Sequence, residues 1–166
     1  MSNQVTVDEL FDMAIKAEKN AEVVYRRLQA KFAPHSDAAR FWRNYAAAEA
    51  GHALGLRRIR AAMSPEQLAA PADAAVAASA QRLLLFPVEK ALQEVKTLED
   101  GYQLASEIES GETNVVFEFL ITHFASDAQA QALMRSKLRD HIAKISTGFP
   151  ARFKSSASRL SVKATE

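Results

Sequence analysis

The sequence predicts an all-α fold, a four-helix bundle made of two antiparallel helical hairpins joined by a long crossover with short helices. The chain of 166 residues is rich in alanine and contains only five glycines and five prolines, a composition that suits packed helices. Apolar residues recur at alternating steps of three and four in four segments, which is the spacing of a buried helix face. We therefore predict one domain over residues 1–149 and a flexible C-terminal tail over residues 150–166.

Two apolar stripes predict the first hairpin. The first helix is expected from about Thr6 to Phe32, and a break over residues 33–36 follows it. Ser36 stands where a side chain would cap the second helix. The two stripes comprise Phe11, Ala14, Ala21, Tyr25, Leu28 and Phe32 in the first helix, and Ala38, Trp42, Tyr45, Leu56, Ile59 and Met63 in the second. Because the connection is short, these helices should be antiparallel neighbours.

The crossover and the second hairpin follow. Residues 64–96 contain three prolines between alanine-rich pieces, so they are too long for a turn and too interrupted for one helix. Thr97 and Asp100 have the spacing of a capping box, with Asp in place of the usual Glu or Gln, and they open a third helix over 97–123. A fourth helix is expected over 127–147, ended by a glycine and a proline.

Composition excludes several classes of function. With 21 Lys and Arg against 20 Asp and Glu, the net charge of +1 gives no reason to expect nucleic acid or a membrane as a partner. The absence of cysteine excludes disulfides, thiolate zinc sites, iron–sulfur clusters and cysteine nucleophiles. No signal peptide or stretch of about 20 apolar residues is present, so we expect a soluble, cytoplasmic protein. Any metal must be bound by oxygen and imidazole.

Polar residues fall within each of the four stripes without disturbing their spacing. They are Glu18 in the first helix, Glu49 and His52 in the second, Glu109 and Glu112 in the third, and His141 in the fourth. Antiparallel helices rise about 1.5 Å per residue, so positions equidistant from a connection share a depth, and both hairpins place these residues midway. Burying several unpaired ionised groups would cost several kcal/mol each. The pattern therefore predicts an ion-paired cluster or a metal site.

These residues resemble the motif of the rubrerythrin-like branch of the ferritin-like superfamily, over roughly Leu10 to Ile145. That motif places a Glu on the first and third helices and Glu-x-x-His on the second and fourth. Glu18, with Tyr25 seven residues later, resembles the first-helix motif. The run Glu49-Ala50-Gly51-His52 resembles the second, and the pair of glutamates at 109 and 112 resembles the Glu-x-x-Glu of the third helix.

The fourth helix departs from the family pattern. Leu138 stands three residues before His141, where the family has a carboxylate that bridges two metal ions. Asp140 is a poor replacement, because it lies about 100° around the helix from His141. The cysteine-rich rubredoxin module of full rubrerythrins is also missing, so redox chemistry would need an external electron donor.

The resemblance implies a ferritin-like bundle with a non-haem di-iron site that reduces peroxide or oxidises ferrous iron. The implied metal ligands are Glu18, Glu49, His52, Glu109, Glu112 and His141, with Glu49 as the remaining bridge. Tyr25 would donate a hydrogen bond to a ligand. Manganese or zinc would suit the same ligands, and either Glu109 or Glu112 could be the primary ligand on the third helix. The family also implies a possible homodimer.

Two alternatives stay open at this point. Leu138 favours a site of lower affinity or with a single metal, in a catalytically poor protein concerned with iron storage or sensing. The second alternative is a metal-free structural bundle, in which the glutamates and histidines form a hydrogen-bonded core network. Independently of the metal, the apolar run from Leu83 to Phe86 could cover either a neighbouring copy or its own bundle.

Overall fold

A computed structural model describes residues 4–151, apart from the side chain of Glu112, and this part of the chain is all-helical. The helices are α1 (Val7–Lys31), α2 (Ser36–Ala61), α3 (Pro65–Ala69), α4 (Ala74–Leu84), α5 (Val88–Glu94), α6 (Leu98–Glu109), α7 (Glu112–Phe124) and α8 (Ala128–Thr147). The predicted all-α class is confirmed. The predicted tail lies outside the described residues beyond Ala151. None of the described helices combines the length and the apolarity that crossing a bilayer requires.

α1 and α2 pack along their whole length. α1 begins with a capping box in which Thr6 and Glu9 satisfy each other's backbone N–H groups. Arg60, near the end of α2, donates hydrogen bonds to Asp8 and Asp12 at the start of α1. Toward the other end of the pair, the rings of Tyr25 and Trp42 stack with centroids 6.1 Å apart. The long helices predicted for residues 6–32 and 36–63 are therefore present.

The predicted cap of α2 is wrong. Ser36 is the first residue of the helix, and His35 stands at the N-cap, where its side chain makes no capping hydrogen bond. The His35 N–H donates to the carbonyl of Phe32, 2.9 Å away, and this bond makes the connection tight. The helix therefore begins one residue earlier than a cap at Ser36 would require. The N-terminus of α2 instead has Asp37 in its first turn, where a carboxylate favours the helix dipole.

The crossover contains short helices, as predicted. Ser64 and Gln67 form a capping box at α3, and Asp73 accepts hydrogen bonds from two backbone N–H groups at the start of α4. α4 packs on α1 and α7, and α5 packs on α1. Leu83 joins the packed core, whereas Leu85 is 80% exposed, so only part of the apolar run in this segment covers its own protein.

The predicted third helix is interrupted. Its capping box of Thr97 and Asp100 is confirmed, but the helix ends at Glu109 and a new helix begins after Gly111. A Cβ at Gly111 would lie 3.2 Å from two backbone carbonyl oxygens of the preceding turn, so this close approach favours glycine. The Asn114 side chain donates to the Glu109 carbonyl, 2.6 Å away, and satisfies an acceptor that the break leaves free. The single helix over 97–123 is therefore wrong in detail.

The core consists of two apolar clusters with a polar layer between them. One cluster contains aliphatic residues and phenylalanines of α1, α2, α4 and α7, including Phe11, Leu56, Phe117 and Leu120. The other is rich in larger aromatic rings, including Tyr25, Trp42, Tyr45 and Phe149. Between these clusters lie five of the predicted inward-facing residues, namely Glu18, Glu49, His52, Glu109 and His141.

Candidate metal centre

Five of the six residues predicted from the sequence as metal ligands come together in the buried polar layer. Their exposed fractions are 1% for Glu18, 3% for Glu49, 9% for His52, 4% for Glu109 and 6% for His141. They form two groups, Glu18 with Glu49 and His52, and Glu49 with Glu109 and His141, in which one ligand atom per residue lies within 4.8 Å of the others. Glu49 belongs to both groups, so it is placed to bridge two ions.

The first group is built by α1 and α2. Glu49 and His52 are three residues apart on α2 and therefore share a helix face. His52 Nδ1 lies 3.0 Å from Glu49 Oε2 and 3.3 Å from Glu18 Oε2, both at hydrogen-bonding distance. An ion about 2.1 Å from two ligand atoms at right angles would separate those atoms by about 3.0 Å, so the spacing also suits a shared metal ion.

The second group joins α2, α6 and α8. His141 Nε2 lies 2.8 Å from Glu49 Oε1 and 3.0 Å from Glu109 Oε2. Neither contact has hydrogen-bond geometry, so within residues 4–151 this buried nitrogen has no hydrogen-bond partner. Its two close contacts are ion pairs when the imidazole is protonated, and a cation held between this nitrogen and the two oxygens would satisfy all three atoms. The two carboxylate oxygens and the imidazole nitrogen converge as ligands of a cation would.

The electrostatics of the cluster favour a bound positive charge. Burial opposes charge on His52, but the contacts of its ring with Glu18 and Glu49 outweigh burial and raise its pKa to about 10. Burial likewise opposes charge on His141, yet Glu109 and Glu49 raise its pKa to about 9. Both imidazoles therefore hold protons at neutral pH in the metal-free protein, and a metal ion would replace those protons.

The glutamates respond differently to the same environment. Burial raises the pKa of Glu18 well above its ordinary value, and its contact with His52 only partly offsets this. Glu49 is also buried, but its contacts with His141 and His52 outweigh burial and bring its pKa below the ordinary value. Of these two carboxylates, Glu49 is thus the one held in the charged form that a bridging ligand needs.

No protein-family model, curated protein or solved structure matches this chain.

Tyr25 supports the second group from α1. Its hydroxyl donates a hydrogen bond of 2.5 Å to Glu109 Oε1, and its side chain is fully buried. Burial, followed by the charges of Glu109 and Glu49, raises the pKa of the Tyr25 phenol well above its ordinary value, so it remains a donor. The tyrosine fixes one oxygen of Glu109 and leaves the other oxygen facing His141.

The remaining positions named from the sequence contribute no described side chain to the two groups of candidate ligands. Glu112 opens α7, and its side chain is not described, so its role as a ligand stays a prediction. Leu138 is buried in the aliphatic cluster, which leaves an apolar side chain where the family motif has a carboxylate. Asp140 is exposed.

Two features of the centre were not predicted from the sequence. The Tyr45 hydroxyl donates to the backbone carbonyl of His141, 2.8 Å away, and so ties α8 to α2 beside the cluster. Tyr45 lies four residues before Glu49 on the same helix face, and this spacing was the available signal. A groove of about 1010 Å³ between α2 and α8 also reaches His52 and His141, and only the packing of distant helices could reveal it.

Proposed function

We propose that this chain is a ferritin-like protein of rubrerythrin type, in which α1 with α2, and α6–α7 with α8, form two antiparallel hairpins. The contacts of α1 with α2 support this topology, because Arg60 meets Asp8 at one end while Tyr25 meets Trp42 toward the other. In the second pair, Arg135 near the start of α8 meets Glu118 of α7, and His141 farther along α8 meets Glu109 of α6. These pairings are those of helices that run in opposite directions.

The proposed metal centre holds two iron ions. Glu18 and His52 would bind one ion, Glu109 and His141 the other, and Glu49 would bridge them. The observation that carries this proposal is the sharing of Glu49 by two groups of carboxylate and imidazole ligands, all nine-tenths or more buried. Three carboxylates and two imidazoles suit iron, manganese or zinc, and the family resemblance favours iron.

The proposed activity is that of an oxidoreductase that reduces peroxide or oxidises ferrous iron. The iron ions, when bound, would supply the electron transfer. The protein contributes a buried, pre-arranged ligand set. Tyr25 fixes Glu109, Tyr45 holds the α8 backbone at His141, and the groove between α2 and α8 gives small oxidants a path to the two histidines. An external electron donor would be needed to complete a peroxidase cycle.

A second candidate is a centre with one ion, or with none, in an iron-handling or structural protein. The buried Leu138 favours it, because this side chain offers no ligand on α8 one turn from His141. The contacts of His52 with Glu18 and Glu49 also let the first group stand as a hydrogen-bonded network without metal. Metal stoichiometry separates these candidates.

The test is anaerobic titration of the purified, metal-free protein with ferrous iron, followed by elemental analysis of the desalted protein. The proposal expects about two irons per chain and peroxide consumption that requires them. About one iron per chain would favour the single-ion candidate. No iron above the background of a His52→Gln, His141→Gln double variant would contradict the metal proposal.

A further inference from the structure

The groove between α2 and α8 is far larger than peroxide or a metal ion requires. Its volume is about 1010 Å³, which matches the upper end of the range of about 300–1,000 Å³ for pockets that hold drug-sized organic ligands. His52, His141 and Phe117 form part of its lining, so the groove runs directly beside the candidate metal centre. A molecule lying in it would contact the edge of that centre.

The middle of the groove is apolar. Gly51 leaves open space, because a Cβ built there would meet no atom within 4 Å. Leu54 on α2 and Leu133 on α8 line the groove and are 46% and 57% exposed, a large exposure for leucine side chains in helices. At Gly55, by contrast, a Cβ would lie 2.6 Å from Met134 Cε, so the two helices approach closely at that point of the lining.

Cations surround the part of the groove nearest the histidines. Lys137 and Lys144 lie four residues before and three residues after His141, on the same face of α8, and both line the groove. Asp140 is the acidic lining residue at this level. Arg40 and Arg58 add positive charge toward the two ends of the groove.

The other lining carboxylates lie away from this region and are engaged with backbone. Asp37 and Asp127 stand at the starts of α2 and α8, where each accepts a hydrogen bond from a backbone N–H. Among the exposed charged side chains that line the groove at this level, two lysines therefore stand against one aspartate, and this balance complements an anion.

We propose that this groove binds a small organic anion with an apolar body, its charged group between Lys137 and Lys144 and its body along Gly51, Leu54 and Leu133. The role of this anion as a co-substrate rests on the proposed function, because it requires a metal centre beside the groove. Binding itself depends only on the groove.

Octanoate is the probe, and octyltrimethylammonium, with the same chain and the opposite charge, is its comparator. Isothermal titration below micelle-forming concentrations should show octanoate bound at least about tenfold more tightly, a difference of 1.4 kcal/mol. Lys137→Gln with Lys144→Gln should remove this preference. Gly51→Leu should fill the groove and weaken octanoate binding at least about tenfold, whereas the matched Gly51→Ala variant, which adds one methyl group, should bind it nearly as well.

Iron content measured on the same samples separates this inference from the proposed function. Octanoate binding that Gly51→Leu abolishes, in a chain that takes up no iron, would support the groove and contradict the metal proposal. Iron uptake without octanoate binding would overturn the groove proposal alone. The proposal also fails if the cationic probe binds equally well, if self-association covers the groove, or if octanoate binds only to a chain shortened to residue 151.

Discussion

The helices that hold the two groups of ligands differ greatly in burial. α1 has eleven buried residues among 25, and α2 has ten among 26. α8, with 20 residues, has two in the part of the chain that the structure describes, Leu138 and His141. Glu18, Glu49 and His52 therefore lie on helices fixed by apolar packing, whereas His141 lies on a helix with little packing of its own. The difference indicates that α8 depends on the polar cluster, and on a metal when one is bound, for its position.

The largest expected effect comes from the residue that both groups share. Glu49→Gln keeps the size of the side chain but removes its charge, so we expect both metal positions to be lost, from about two ions per chain to nearly none. Glu18→Gln or His141→Gln should each remove only one ion. Elemental analysis after titration with ferrous iron measures this. If Glu49→Gln retained one ion at full affinity, the shared bridge would be wrong.

The second prediction adds the carboxylate that α8 lacks. Leu138→Glu recreates Glu-x-x-His but buries an unpaired charge, which should lower the stability of the metal-free protein by roughly 3–5 kcal/mol. With about 2–4 °C per kcal/mol in a chain of this size, the unfolding midpoint should fall by about 10 °C. Ferrous iron should restore more stability in this variant than in the parent protein.

Leu138→Gln is the matched control, since it has nearly the same shape and no charge. It should lose stability without gaining a larger response to iron. An equal response of the two variants would mean that residue 138 does not face the second metal position.

The two sides of the candidate centre differ in how well the sequence alone predicts them. On the α1–α2 side, the spacing of Glu18, Glu49 and His52 was sufficient to predict that these side chains are buried. Long uninterrupted helices preserve the three-and-four pattern that indicates a buried face. The same pattern continues across Ser110 and Gly111, from Glu109 to Val116, so periodicity alone could not indicate that the helix is interrupted there. Ser-Gly was the local signal of a break.

The small number of buried residues in α8 could not be predicted from the sequence, for a different reason. Met134 belongs to the predicted apolar stripe of α8 and packs against the core, whereas Leu133 beside it is 57% exposed and lines the groove. A stripe predicts which face of a helix is apolar, but the distance to the opposing helix depends on the packing of all the other elements. The groove is a tertiary feature of this kind.

The third prediction concerns the support that α1 gives to the second group. Tyr25→Phe removes the hydrogen bond to Glu109 and leaves a buried carboxylate oxygen without that donor, at a cost of about 1–3 kcal/mol. Iron affinity should fall about 10–100-fold at the second position and little at the first. Tyr45→Phe, which loses a bond to backbone, should leave Glu109 in place. Equal losses at both positions would contradict the role assigned to Tyr25.

The smallest expected effect is a dependence of α8 on pH in the metal-free protein. The folded-state pKa values of His52 and His141, about 10 and about 9, lie above the ordinary 6.5, so the stability they contribute is fully present below pH 6.5. That contribution is lost as the pH rises through about 9 for His141 and then about 10 for His52. Because α8 has little other packing, its amide hydrogens should lose protection before those of α1 and α2.

Hydrogen exchange, corrected for the intrinsic effect of pH on exchange rates, measures the order in which the helices lose protection. His141→Gln should flatten the response of α8, because the titrating group is gone. Bound iron should abolish the response as well, since both imidazoles are then already deprotonated. If α8 and α1 lost protection together at the same pH, the polar cluster would hold both regions equally and the contrast between them would not extend to their dynamics.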